Sequence, residues 1–118
     1  MSKIAIVVLA DNETYGDLGR IVHALEAVKE FQEAGDEVQM IFDGAGTKWI
    51  GTLSDARHNF YGLYRAIESK ITGVCAFYSN TFGVTTQVSG AGVKLVGEFD
   101  GHPSFKKLID QGYQVITF

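Results

Sequence analysis

Cysteine and proline occur once each, as Cys75 and Pro103, in a chain of 118 residues. A single thiol excludes an intrachain disulfide, and an unpaired cysteine fits a reducing cytoplasm better than an oxidising exterior. No apolar stretch approaches the roughly 18 residues that a membrane span needs, so no membrane partner is expected. Basic residues are in deficit. Ten Lys and Arg against 14 Asp and Glu give a net charge of −4. The basic excess or stripe of a nucleic-acid-binding protein is missing, and no nucleic-acid partner is expected. Internal repeats and low-complexity segments are absent too. What is plentiful is apolar: 46% of the residues are hydrophobic and 20% charged, which excludes disorder and supports one well-filled domain over residues 1–118.

Ile4 to Leu9 is a continuous β-branched apolar run, the mark of a strand covered on both faces; stopping at Asp11, it reads as a strand and not as a signal peptide. Leu18, Ile21, Val22, Leu25, Val28 and Phe31 recur at helical spacing between Asp17, as the capping residue, and Gly35. Glu37 to Phe42 is the second strand, and Asp43-Gly44-Ala45-Gly46 breaks it. Helix is expected over Asp55–Ser69, strand over Thr72–Phe77, and a short helix capped by Ser79 or Asn80 through about Gln87. A strand at Val93–Val96, a helix with Pro103 in its first turn, and a last strand at Tyr113–Phe118 complete the pattern. Alternating strands and helices predict an α/β fold with a mostly parallel sheet between two helical layers. In such sheets chemistry sits at the carboxyl ends of the strands, here the loops around Asp11–Tyr15, Asp43–Trp49 and Phe77–Asn80.

Recognised motifs are few. The loop after the first strand lacks G-x-G-x-x-G, and Gly44-Ala45-Gly46-Thr47-Lys48 does not meet the Walker pattern. His23, His58 and His102 are far apart and no Cys-x-x-Cys occurs, so no metal site and no cofactor are read from spacing. Asp11 and Asp43 both follow strands and read as turn residues. Cys75 is the best reactive candidate. It ends a strand just before a helix start, where unpaired amides favour a thiolate, although a buried free cysteine is as often plain filler. Asp11, Glu13 and Asp43 share that strand-end edge, and their charge is expected to hold the Cys75 pKa near the ordinary thiol value of about 8.5.

The chain resembles the DsrE/DsrF-like family, which includes sulfur-relay proteins of the TusD type. The resemblance rests on the opening strand Lys3–Leu9 and on Phe31-Gln32-Glu33-Ala34-Gly35 at the end of the long helix. It continues through Val38–Gly44 and Gly73-Val74-Cys75-Ala76 to Leu108–Phe118. It implies a three-layer α/β/α domain with a five-stranded, mainly parallel sheet, assembled with other subunits as homo- or hetero-oligomers, trimers or hexamers. It also implies that Cys75 carries a persulfide, received from a donor protein and passed to an acceptor. Phe77, Tyr78, Asn80 and Thr81 depart from the small apolar residues usual there. The expected site is Cys75 as the sulfur carrier, with Tyr78, Ser79 and Asn80 shaping its pocket and Asp43, Gly44 and Trp49 as a second wall. The alternative is a non-catalytic module, an oligomeric subunit or small-ligand binder in which Cys75 is only packed.

Overall fold

Alternation along the first strand sets the architecture. In the computed structural model, which describes residues 1–118, β1 (Lys3–Val8) turns Ile4, Ile6 and Val8 to one face and Ala5 and Val7 to the other. Both sets are buried, as expected of a strand inside a covered sheet. Parallel partners flank β1 on either side. β2 (Glu37–Phe42) pairs along its full length, with Ile6 opposite Met40, and β5 (Gln114–Thr117) pairs with Ile6 opposite Ile116. β3 (Ile71–Cys75) adds to β2, and the two-residue β4 (Leu95–Val96) adds to β3. The five-stranded sheet has the order β4-β3-β2-β1-β5, and every pairing is parallel.

α1 (Tyr15–Glu33) begins two residues earlier than the sequence pattern indicates. Thr14, and not Asp17, is the cap: its hydroxyl accepts the Asp17 amide at 3.0 Å while the Asp17 carboxylate accepts from the Thr14 amide. Ile21, Ala24, Leu25 and Val28 form the buried stripe of α1 and face Ile4, Ile6 and Val8. α2 (Trp49–Leu53), α3 (Tyr61–Ile67) and α5 (Thr85–Gly90) add Ile50, Leu53, Tyr64, Ile67 and Val88 to a cluster of 17 buried residues. Each fully buried Leu or Ile there contributes about 1.5–3 kcal/mol. The opposite face is thinner: α6 (Phe105–Asp110) inserts Leu108 against Ala5, Val7 and Ile41. No helix is long and apolar enough to cross a membrane.

The second half of the chain is built of shorter pieces than its sequence predicts. Asp55 to Phe60 forms turns, so the helix expected over Asp55–Ser69 is confined to α3 and a following 3-10 turn at Glu68–Lys70. β3 ends at Cys75 and α4 (Ala76–Thr81) starts at the next residue, which puts Ser79 and Asn80 inside that helix instead of at its cap. Pro103 lies just before α6, whose cap is Ser104, accepting the Lys107 amide at 3.1 Å.

Candidate functional site

Three strand ends converge on one sulfur. Cys75 is the last residue of β3 and is completely buried. Asp43 follows β2; its backbone amide donates to the Val8 carbonyl at 2.9 Å, and its carboxylate accepts the Gly44 amide at 2.8 Å. Gly44 takes a positive φ of 54° and opens a 3-10 turn over Gly44–Lys48. Gly46 lets that turn lie against β1, because a Cβ there would stand 2.2 Å from the Val8 carbonyl oxygen. Asp43 is therefore fixed on both sides, buried to 7% exposure, and takes part in no ion pair.

The third arm comes from beyond β4. Phe99 and His102 exchange two backbone hydrogen bonds, 2.9 and 2.8 Å, across Asp100-Gly101, both of which have positive φ. This is the turn chemistry that an Asp-Gly pair favours. The turn is tied down where the Phe77 amide donates to the Gly101 carbonyl at 2.9 Å. The His102 ring packs against a Phe77–Tyr78 pair whose own centroids are 5.1 Å apart, at 4.6 Å from Phe77 and 5.3 Å from Tyr78. Its Nδ1 lies 3.7 Å from Cys75 Sγ, and the Gly101 carbonyl oxygen lies 3.7 Å from the same sulfur. The donor atoms of Asp43, Cys75 and His102 all fall within 4.8 Å of one another.

Electrostatics at the sulfur differ from the sequence expectation. Burial pushes the Cys75 thiol up to about 11, with the charge of Asp43 and a hydrogen bond to its carboxylate adding to the rise. The amides of Tyr78 and Phe77 pull the other way and do not win. The thiol is thus not held near the ordinary value, because burial adds to the effect of the sheet-edge carboxylate. Asp11 and Glu13 are drawn elsewhere: Lys48 Nζ lies 3.0 Å from Asp11 and 3.9 Å from Glu13. The Asp11 carboxyl is lowered, first by the Asn12 amide and then by Lys48.

Beside the sulfur is a cleft of about 540 Å³ whose lining includes Asp43, Gly44, Tyr78 and His102, with Phe99 and Phe105 on its apolar side. Of the residues expected from sequence, Cys75, Asp43, Gly44 and Tyr78 are brought together here. Ser79 is buried on α4, with its hydroxyl oxygen unpartnered, and Asn80 is exposed on the same helix. Trp49 is not a wall of this cleft. It is buried in the larger core cluster, and its indole N–H reaches the carbonyls of Ala10 and Asp11, both at 3.0 Å. A buried indole needs an acceptor, and the loop after β1 supplies two. Trp49 and His58 instead line a separate cavity with Asn12 and Tyr15. His102 is the member that sequence spacing missed. The signal that finds it is Asp100-Gly101, a tight-turn pair aimed back at the strand ends.

No protein-family model matches the chain. The uncharacterized protein MJ0733 of Methanocaldococcus jannaschii is 30% identical over 96 residues, 81% of this chain and 78% of that protein. The chain belongs to the family of that archaeal protein. Among solved structures, the conserved protein of unknown function BT1422 from Bacteroides thetaiotaomicron superposes with a TM-score of 0.61 over 97% of this chain and 94% of its own, at 13% identity. That likeness establishes the α/β fold.

Proposed function

We propose that the protein is a sulfur carrier of the DsrE/DsrF-like type, with Cys75 holding sulfane sulfur as a persulfide. The observation that carries this reading is the contact of Cys75 Sγ with His102 Nδ1 at 3.7 Å, behind a cleft that Asp43 and His102 also line. A thiol at about 11 is almost wholly protonated at neutral pH, so it needs a base, and of the two side chains in reach, Asp43 and His102, the imidazole takes that role. In the transfer, the thiol proton passes to His102 Nδ1 and the sulfur attacks the outer sulfur of a donor persulfide. One S–S bond forms at Cys75 while the donor's S–S bond breaks, and the departing donor thiolate takes the proton from His102. No oxidant is consumed. Such chemistry belongs in a reducing cytoplasm. The exposed Phe77, Phe99 and Phe105 around the cleft offer apolar surface for other subunits and for donor and acceptor proteins. Intact-mass measurement after incubation with a small-molecule persulfide donor tests the reading. Wild type should gain the mass of one sulfur atom and Cys75→Ser should gain none.

Complete burial of Cys75 favours a second reading, an interaction module or small-ligand binder in which the thiol only packs. Here the native thiol would resist alkylation until the chain unfolds, and the donor would leave no adduct.

A further inference from the structure

We propose that Asp43, Cys75 and His102 bind a divalent transition metal ion of borderline softness, Zn²⁺ by class, with a fourth coordination position open to the cleft.

The donor set is one sulfur, one imidazole nitrogen and one carboxylate oxygen, delivered by the segments after β2, at the end of β3 and after β4. Sulfur and imidazole select Zn²⁺ and its neighbours over Mg²⁺ or Ca²⁺, which take oxygen ligands. Distances agree. Zn–S and Zn–N bonds of about 2.3 and 2.05 Å meeting at the tetrahedral angle put sulfur and nitrogen about 3.6 Å apart. Cys75 Sγ and His102 Nδ1 stand 3.7 Å apart. With the carboxylate within 4.8 Å of both, closing the site around an ion brings its ligand atoms together by about an ångström.

Charge points the same way. Asp43 is a carboxylate more than nine-tenths buried, and no cationic side chain lies within 4.0 Å of it. A buried, unpaired anion is costly, and a bound cation offsets that cost. Lys48, on the turn after Asp43, is engaged with Asp11, and Lys106, on the same cleft, with Asp110. The ligands are also held in place. The Gly44 amide fixes the Asp43 carboxylate, and the His102 ring packs against the Phe77 and Tyr78 rings. Three protein ligands with one side toward a cleft is the arrangement of a site that keeps a position for water or substrate. The inference is independent of the sulfur-carrier reading, but the two occupants exclude each other, because a metal-bound thiolate cannot also hold sulfane sulfur.

Co²⁺ titration of the reduced protein without oxygen tests it. Wild type should develop a thiolate-to-Co²⁺ charge-transfer band in the near-ultraviolet and d–d bands of tetrahedral strength. Both should saturate at one ion per chain and disappear on addition of Zn²⁺. Cys75→Ser should lose the charge-transfer band, and Asp43→Asn and His102→Gln should each weaken binding by about 10-fold or more. His58→Gln, whose ring accepts the Phe60 amide at 3.1 Å away from this cluster, should titrate as wild type. Wild type that shows no charge-transfer band overturns the proposal, as does a band that survives both Asp43→Asn and His102→Gln with unchanged affinity. These outcomes are read on wild type as well as on variants, so a variant that fails to fold does not rescue the idea. Co²⁺ binding without a persulfide adduct leaves this site standing and removes the sulfur-carrier reading; an adduct without Co²⁺ binding does the reverse.

Discussion

Two aspartates close the ends of neighbouring strands, and the chain treats them oppositely. Asp11, after β1, accepts the Asn12 amide at 2.7 Å and Lys48 at 3.0 Å, with its side chain 36% exposed. Asp43, after β2, accepts the Gly44 amide in the same local manner but is buried and has no cation. Lys48, on the turn that follows Asp43, reaches past it to the β1 loop. The local turn chemistry of the two residues is the same; what separates them is where the lysine goes and what lies beneath. Under Asp43 lie Cys75 and His102, so the carboxylate left without a counter-charge is the one placed to act on a thiol, a proton or a metal ion.

The largest expected effect comes from removing the close approach that sets Asp43 in place. Gly46→Ala would drive a Cβ into the Val8 carbonyl at 2.2 Å, with backbone on both sides of the clash. The expected loss is about 3 kcal/mol, read as a lowered urea midpoint at unchanged slope. A midpoint equal to wild type would mean that the turn lifts off β1 without cost.

Next in size is a pH effect that belongs to the Asp43 side alone. Burial raises the Cys75 thiol well above its ordinary value, to about 11, so the folded chain holds a proton that the unfolded chain gives up. That contribution to stability is complete below pH 9 and is lost as pH rises through 11. Stability measured from pH 8 to 11 should therefore fall more steeply in wild type than in Cys75→Ala. Parallel curves would show that the thiol is not desolvated.

The comparison is sharpened by paired substitutions. Asp43→Asn removes the charge that helps to raise the thiol and leaves only a weaker, neutral acceptor, while burial, the larger cause, remains. Alkylation of the native thiol at pH 8 should speed up by about 3- to 10-fold, corresponding to a fall of up to one pKa unit. Asp11→Asn should leave the rate where it was. Equal rates in the two variants would erase the distinction drawn between the two aspartates.

Much of the frame is legible in the sequence because its first third is long-ranged and regular. The run from Ile4, the six helically spaced residues from Leu18 to Phe31 and the strand ending at Phe42 are strong patterns, and they became β1, α1 and β2. The later elements are six-residue helices and a two-residue strand, too short for periodicity to show, and tertiary packing sets their bounds. The site was half legible. Cys75, Asp43 and Gly44 could be placed at strand ends by topology alone. His102 could not, because it lies 27 residues after Cys75 and arrives by a turn, whereas spacing rules detect ligands on one helix or one loop. Trp49 was misassigned to the cleft because an aromatic in a strand-end loop looks the same in sequence whether it lines a pocket or anchors the loop beside it.

The smallest effect is expected at Lys48, the residue that makes the two loops unequal. Its ammonium pairs with Asp11 and Glu13 and lies 4.9 Å from the centroid of the Phe82 ring. Partly exposed pairs of this kind add little to stability, because side-chain ordering and salt screening offset the attraction. Lys48→Gln should therefore shift the urea midpoint only slightly, and the shift should vanish at high salt. The Asp11 carboxyl, followed by NMR titration, should move up only part of the way to its ordinary value, because the Asn12 amide is the larger cause of its lowering. Thiol alkylation should be unchanged, since Lys48 does not figure among the influences on Cys75. If Lys48→Gln instead slowed alkylation, the lysine's charge would be reaching the sulfur. Asp43 would then no longer be the uncompensated carboxylate, and the contrast between the two strand ends would fail at its origin.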